Sequence, residues 1–328
     1  MGEKSNRIVV SIIVTCSIKD YLCSCLDSIK EQAYPEFEVI VIDNSGDKNF
    51  SQGIIERYPE IKLNLGKKHL SYCEALNLGI KHSIGDFILC LNDDVILDKR
   101  FIEEALKGFS IDSKIGMVSG KILRTDRKTL DSTGLFLSLW LTAAERGYGL
   151  KDKGQFEKEE YIFGVNGAVA FYRKEMLEDI KEGDDYFDSE FNFFYEDLDI
   201  AWRARRIGWR GYYIPRAVAY HVRGGTVRKS RGINRPYARR YLSEELHLDL
   251  IKNRYLTIIK NASGSEFFLH LPATAFYDFI MWAYILLFKP RLIKIFLLNL
   301  NCLKNSLKKR FSPSTNKFFK NLLKTKNT

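Results

Sequence analysis

The sequence predicts an α/β fold: a doubly wound, mainly parallel (mixed) sheet with helices on both faces, followed by a C-terminal helical, membrane-associated extension. Three observations predict it. Apolar, largely β-branched runs (RIVVSIIVT at 7–15, FEVIVI at 37–42, FILCL at 87–91) have the pattern of strands buried on both faces. Stretches of helical period alternate with them, as a sheet wound with helices requires. From residue 267 the chain turns apolar and then basic.

In order, 7–15 reads as the first strand and 20–32 as the first helix, with Leu22, Cys25, Leu26 and Ile29 on one face. A second strand over 37–42 ends in Asp43-Asn44-Ser45-Gly46, and a helical stretch and a short strand at 61–65 follow. Residues 71–83 read as helix, 87–91 as a strand ending in Asn92-Asp93-Asp94, 101–109 as helix and 116–122 as strand. Between 125 and 160 the pattern is irregular and rich in Gly and charge. A strand at 168–172, a helix at 196–207 and two short strands at 211–214 and 217–220 come next. A basic loop over 223–240, a helix over 244–260 and an apolar block over 267–288 complete the pattern.

The 328 residues allow one large α/β domain with an appendage. The formal net charge is +10, yet residues 289–328 hold 11 Lys or Arg and no Asp or Glu, so the rest is nearly neutral. Basicity confined to a tail argues against nucleic acid as a partner and for an anionic membrane surface. The six cysteines (Cys16, Cys23, Cys25, Cys73, Cys90, Cys302) show no CxxC pair and no zinc spacing. They read as reduced thiols of a cytoplasmic protein. Residues 7–15 read as a strand rather than a secretory signal.

In such a sheet, ligands bind beyond the carboxyl ends of the strands, where Thr15, Asp43 and Asn92-Asp93-Asp94 fall. Asp43 can accept hydrogen bonds from a nucleobase or ribose, or close an Asx-turn. Asp93-Asp94 can supply the carboxylates needed by a hard divalent ion on a diphosphate, or stand as solvated acids. Glu196-Asp197 open the helix EDLDIAWRARRIG and are candidates for base catalysis. The same acids, with Arg203, Arg205 and Arg206 in the last turn, also suit the helix dipole. FNFFY at 191–195 supplies an aromatic wall able to raise a carboxylate's pKa. His221 ends AVAYH and can complete an oxygen-rich metal site, or be structural. The phosphate signatures GxGxxG and GxxxxGK[ST] are absent.

Over residues 8–226 the order of these motifs resembles the family 2 glycosyltransferases of GT-A fold. VSIIVTCSIKDYLCSCLDSI is similar to the family's first strand and helix, and VIVIDNSGD to its second-strand motif. NLGKKHLSYCEALNLGIKHSIGDFILCLNDDV resembles the segment leading to the metal-binding DxD motif. NGAVAFYRKEML and FDSEFNFFYEDLDIAWRARRIGWRGYYIPRAVAYH resemble the rhamnosyltransferase-like branch, which acts on lipid-linked saccharides. The resemblance implies donor-nucleoside contacts at Thr15 and Asp43, and Asn92, Asp93 and Asp94 as the three DxD positions. Asn stands in the first of these, and Cys16-Ser17 stand where many members carry Tyr-Asn. It also implies Asp197 as the base of an ED motif with Glu196 beside it, and His221 as a metal ligand with Asp94.

On this reading the chain is an inverting, metal-dependent (Mg or Mn) hexosyltransferase of cell-surface polysaccharide synthesis. Its partners are a nucleotide-diphosphate sugar, with rhamnose as one possible sugar, and a saccharide or lipid-diphosphate-linked acceptor. Arg223, Arg228, Lys229 and Arg231 are expected to fold over the pyrophosphate. The divisions expected are 1–226 as the catalytic domain, 227–265 as basic loop and helix, and 266–328 as the membrane-associated region. The block at 267–288 is long enough to span a bilayer, but His270, Pro272 and Asp278 favour a helix or hairpin lying on the inner face of the membrane. An amphipathic helix over 292–307 is expected to follow. Two alternatives stand: a sugar nucleotidyltransferase, and a non-catalytic saccharide-binding protein.

Overall fold

Strand β1 (Val10–Cys16) is buried along its whole length because it is central to the parallel half of the sheet. In this computed structural model, which describes residues 8–17, 19–65, 70–223 and 243–310, β1 pairs with β2 (Phe37–Asp43) and β4 (Phe87–Asn92). Strand β3 (Lys62–Leu65) lies outside β2, and all three pairings are parallel. Helices α1 (Lys19–Lys30), α2 (Lys48–Arg57) and α3 (Tyr72–Lys81) make the crossovers. Side chains alternate along β1, so Ile13 joins the core on one face while Ile12 and Val14 join the core on the other.

Beyond β4 the sheet is mixed. Strand β11 (Val169–Arg173) runs antiparallel between β4 and β6 (Ile115–Arg124), and β12 (Arg210–His221) runs parallel to β6. Strands β5 (Val95–Leu97), β7 (Leu130–Ser132) and β10 (Glu160–Ile162) pair antiparallel on this side. Helices α4 (Phe101–Phe109), α5 (Lys174–Ile180) and α6 (Glu196–Arg206) pack on the faces. Strands β8 (Leu135–Leu137) and β9 (Ala143–Glu145) form a separate hairpin. The predicted fold class is the observed one.

Two expectations need correction. The strands at 211–214 and 217–220 are one strand, β12, whose register shifts between Ile214 and Val218. Pro215 lies in that bulge, where no N–H is required. Gly120 of β6 faces it, and a Cβ there would lie 2.0 Å from the Ala217 carbonyl oxygen. The irregular stretch 125–160 contains three short strands and the first residue of a fourth, each too short for its period to register.

The basic segment expected as a loop lies, beyond Arg223, outside the described residues; α7 (Glu244–Asn261) packs on α6. Helix α8 (Gly264–Phe288) starts at a capping box, with Ser263 and Glu266 satisfying each other's backbone N–H groups. It is long and apolar enough to cross a membrane, and little of it is buried. Asp278 does not face outward: its Oδ1 accepts a hydrogen bond from Arg254 Nη1 on α7 at 2.6 Å. The amphipathic segment expected over 292–307 is two helices, α9 (Arg291–Leu298) and α10 (Leu300–Arg310). Two of its cations turn inward, Lys309 onto Asp188 and Arg310 onto the Ile259 carbonyl.

Candidate active site

Strand β4 delivers Asn92 beside Thr15 at the end of β1. The next residue, Asp93, accepts the Ser17 N–H on Oδ2 at 2.5 Å, tying the loop after β1 to the acidic turn. Asp94 Oδ1 lies 3.2 Å from His221 Nε2. Strand β12 carries His221 there by pairing with Val95, and the Val222 N–H donates to the Asp94 carbonyl at 3.0 Å. His221 Nδ1 is 2.9 Å from Asp131 Oδ2. Burial alone would lower the imidazole's pKa, but hydrogen bonds to Asp131 and Asp94 outweigh it and raise it to about 9. Asp131 is fully buried and also accepts from Arg223 Nε, whose guanidinium lies 4.6 Å from the Tyr148 ring centre.

These donors fit a divalent cation that would take the place of the His221 Nε2 proton, which Asp94 otherwise holds on the ring. An oxygen and a nitrogen 3.2 Å apart suit adjacent coordination positions, each about 2.0–2.2 Å from one ion. A carboxylate behind the imidazole, here Asp131, fixes a ligating ring and its tautomer. No group of three or more His, Cys, Asp or Glu side chains able to hold a metal forms among the described residues. Two protein donors therefore leave positions for water and diphosphate oxygens.

The loop 166–168 joins this turn to the start of α6. The Asn92 N–H donates to the Ala168 carbonyl at 3.1 Å, and the Gly167 N–H donates to Asp197 Oδ2 at 3.2 Å. Residues 92–94, 197 and 221, distant in sequence, are thereby brought together. A Cβ at Gly167 would lie 2.9 Å from Glu196 Oε1, so any side chain there would displace the Glu196 carboxyl. Burial and the charge of Asp197 raise the Glu196 carboxyl to about 8. Burial also raises Asp197, against the pull of the Leu198 and Gly167 N–H groups. Glu196 Oε2 is buried with no hydrogen-bond partner. The preceding Phe194 and Tyr195 have φ of 67° and 72°, left-handed values that strain side-chain-bearing residues. Asn253 of α7 holds that turn by donating to the Phe193 and Phe194 carbonyls at 2.7 and 3.1 Å.

Sequence reasoning misses Asp131, Glu145 and Asn166. Glu145, at the end of β9, accepts from Asn166 Nδ2 at 2.6 Å and from the Ser132 hydroxyl. Burial and the nearby Asp197 charge push its carboxyl up to about 7. The DST run at 131–133 before a glycine is the only local signal, and it reads as a turn. Asp43 makes the Asx-turn: Oδ1 accepts from the Ser45 N–H at 2.7 Å and Oδ2 from Ser51 Oγ at 2.5 Å. Each oxygen retains a lone pair for a ligand. Arg228, Lys229 and Arg231 lie outside the described residues.

Residues 7–240 match the model of the family described as "Glycosyltransferase like family 2". The chain is 22% identical over 230 residues to a poly-beta-1,6-N-acetyl-D-glucosamine synthase of Staphylococcus epidermidis, covering 66% of this chain and 51% of that protein. It thus spans about half that relative's length. It is 25% identical over 235 residues to the amylovoran biosynthesis glycosyltransferase AmsB of Erwinia amylovora, covering 68% and 73%. Among solved structures, the mannosyltransferase PcManGT of Pyrobaculum calidifontis, in complex with GDP-Man and Mn2+, superposes with a TM-score of 0.53 at 17% identity. That match covers 94% of this chain and 88% of the other, and it shows the GT-A fold. With a model match over most of its length, the chain belongs to the glycosyltransferase-like family 2.

Proposed function

We propose that the chain is an inverting, metal-assisted glycosyltransferase of cell-surface polysaccharide synthesis. It takes a sugar, with rhamnose a candidate, from a nucleotide-diphosphate donor to a saccharide or lipid-linked saccharide acceptor. The observation that carries this reading is the 166–168 loop, hydrogen-bonded at one side to Asn92 of the acidic turn and at the other to Asp197. Asp197 takes the proton of the acceptor hydroxyl as its oxygen bonds to the anomeric carbon and the bond to the donor diphosphate breaks. Asp94 and His221 would hold the cation, Mg or Mn, which supplies positive charge to the leaving diphosphate. Thr15, Asp43, Asn92, Asp93 and Arg223 serve the donor side, and Glu196, which burial and the Asp197 charge keep protonated to higher pH, stands beside the base. We assign the enzyme to the inner face of the membrane as a peripheral protein, a reading supported by the exposed apolar side of α8 and the basic residues after it.

A thermal-shift screen of nucleotide sugars with Mg2+ or Mn2+ tests this. A bound donor at a hundredfold its Kd stabilises the fold by about 2.7 kcal/mol. The expected result is a cation-dependent rise in melting temperature with one donor class, lost in Asp94→Asn. An unchanged melting temperature with every nucleotide sugar would contradict the reading.

A further inference from the structure

Helix α8 has two unlike sides. At about 100° per residue, Thr274, Asp278, Met281 and Ile285 share the side turned to the body. Three of these are buried, and Asp278 is held by the buried Arg254. Leu269, Phe276, Ile280 and Leu287 fall on the opposite side, and all are exposed. The tip of the β8–β9 hairpin meets this helix. His270 Nδ1 lies 3.0 Å from the Leu139 carbonyl, and Arg254 Nη2 donates to the Trp140 carbonyl at 2.8 Å. The Trp140 ring centre is 6.4 Å from that of Phe276 and 6.1 Å from that of Tyr277. The tip is therefore tethered through its backbone and its indole, while the Leu139 side chain is 68% exposed. An apolar surface of this extent marks a partner. Lys289, Arg291 and Lys294 adjoin it, with no acid from 289 to the end of the chain, which matches anionic headgroups.

We propose that Leu139, Trp140 and the outer side of α8 form one continuous surface that inserts into an anionic lipid bilayer, making the hairpin a membrane foot of the catalytic domain. The proposal rests on the membrane placement given above and adds a contact made by the catalytic domain itself. Along the same hairpin, Glu145 follows Trp140 by five residues, at most about 18 Å of extended chain. The foot thus fixes the height of the acids above the lipid surface, and the acceptor class it fits is a saccharide carried on a membrane lipid.

The test is co-sedimentation of the full chain with vesicles of equal parts phosphatidylglycerol and phosphatidylcholine. Leu139→Glu should lower vesicle affinity about tenfold, the order expected for withdrawing one leucine from an apolar phase. Leu139→Asn, which adds no charge, should lower it severalfold, both with an unchanged melting temperature. Ile111→Glu, at an exposed apolar residue just after α4, should bind as the native chain does. Native-like binding by both Leu139 variants, with binding lost in Ile280→Glu, would overturn the foot and leave α8 as the seat. No binding by the native chain would overturn foot and seat together while leaving the nucleotide-sugar chemistry standing.

Discussion

Glu145, Glu196 and Asp197 crowd three carboxylates into one corner, with Arg223 as a nearby cation. Each negative charge makes its neighbours harder to ionise, so a base here keeps its proton to higher pH than an exposed acid would. Burial raises the Asp197 carboxyl, so transfer should fall off on the acid side at a higher pH than a solvated aspartate would give. Glu145→Gln removes a negative charge beside Asp197 and should shift the acid limb of the kcat–pH profile downward by several tenths of a unit to about one unit. An unmoved limb would show that Glu145 does not act on the base. Asp94, Asp197 and His221 stand out in the sequence as candidates because they sit at the ends of strongly periodic elements. Asp131 and Glu145 are not, since they lie in strands of three residues and gain their meaning from partners far along the chain. Glu145 meets Asn166 across 21 residues, and Asp131 meets His221 across 90.

At the scale of elements, α6 is held from both ends by α7. Two successive left-handed residues cost about 1–3 kcal/mol each, and the Asn253 amide secures the turn that contains them. Three residues into the helix, Asp199 is fully buried and accepts from Lys260 Nζ at 3.0 Å, Arg203 Nε at 2.9 Å and Asn261 Nδ2 at 2.8 Å. Lys260 is 1% exposed and also meets Asp188 and Glu182 at 3.0 and 2.9 Å. Lys260→Met leaves those carboxylates undercompensated and should cost about 3–5 kcal/mol, read as a lower urea midpoint. Adding Asp199→Asn should recover part of that loss. A helix dipole reading of α6 accounts for its acids first and its arginines last, but it does not distinguish the buried Arg203 from its neighbours. That distinction depends on the Ile180 and Tyr186 carbonyls to which Arg203 donates, 23 and 17 residues away, which no helical pattern contains.

For the whole molecule, continuous apolar runs make the parallel half of the sheet legible from β1 to β4. The reversal at β11 is not legible, because an apolar run five residues long carries no direction. Composition likewise marks α8 as long and apolar enough to cross a membrane, yet only the fold shows that Asp278 faces Arg254. The sheet, the 166–168 loop and the α6–α7 clamp together bring the Asp94–His221 pair and a raised carboxylate to one corner, the arrangement on which the proposed transfer rests. The most direct measurement of that arrangement is sugar transfer by Asp197→Asn, taken alongside its stabilisation by a nucleoside diphosphate with Mn2+. Turnover should fall by about 10²–10⁴-fold while the nucleotide still raises the melting temperature as in the native chain. Near-native turnover from a folded Asp197→Asn would contradict the assignment of the base and of the site built around it.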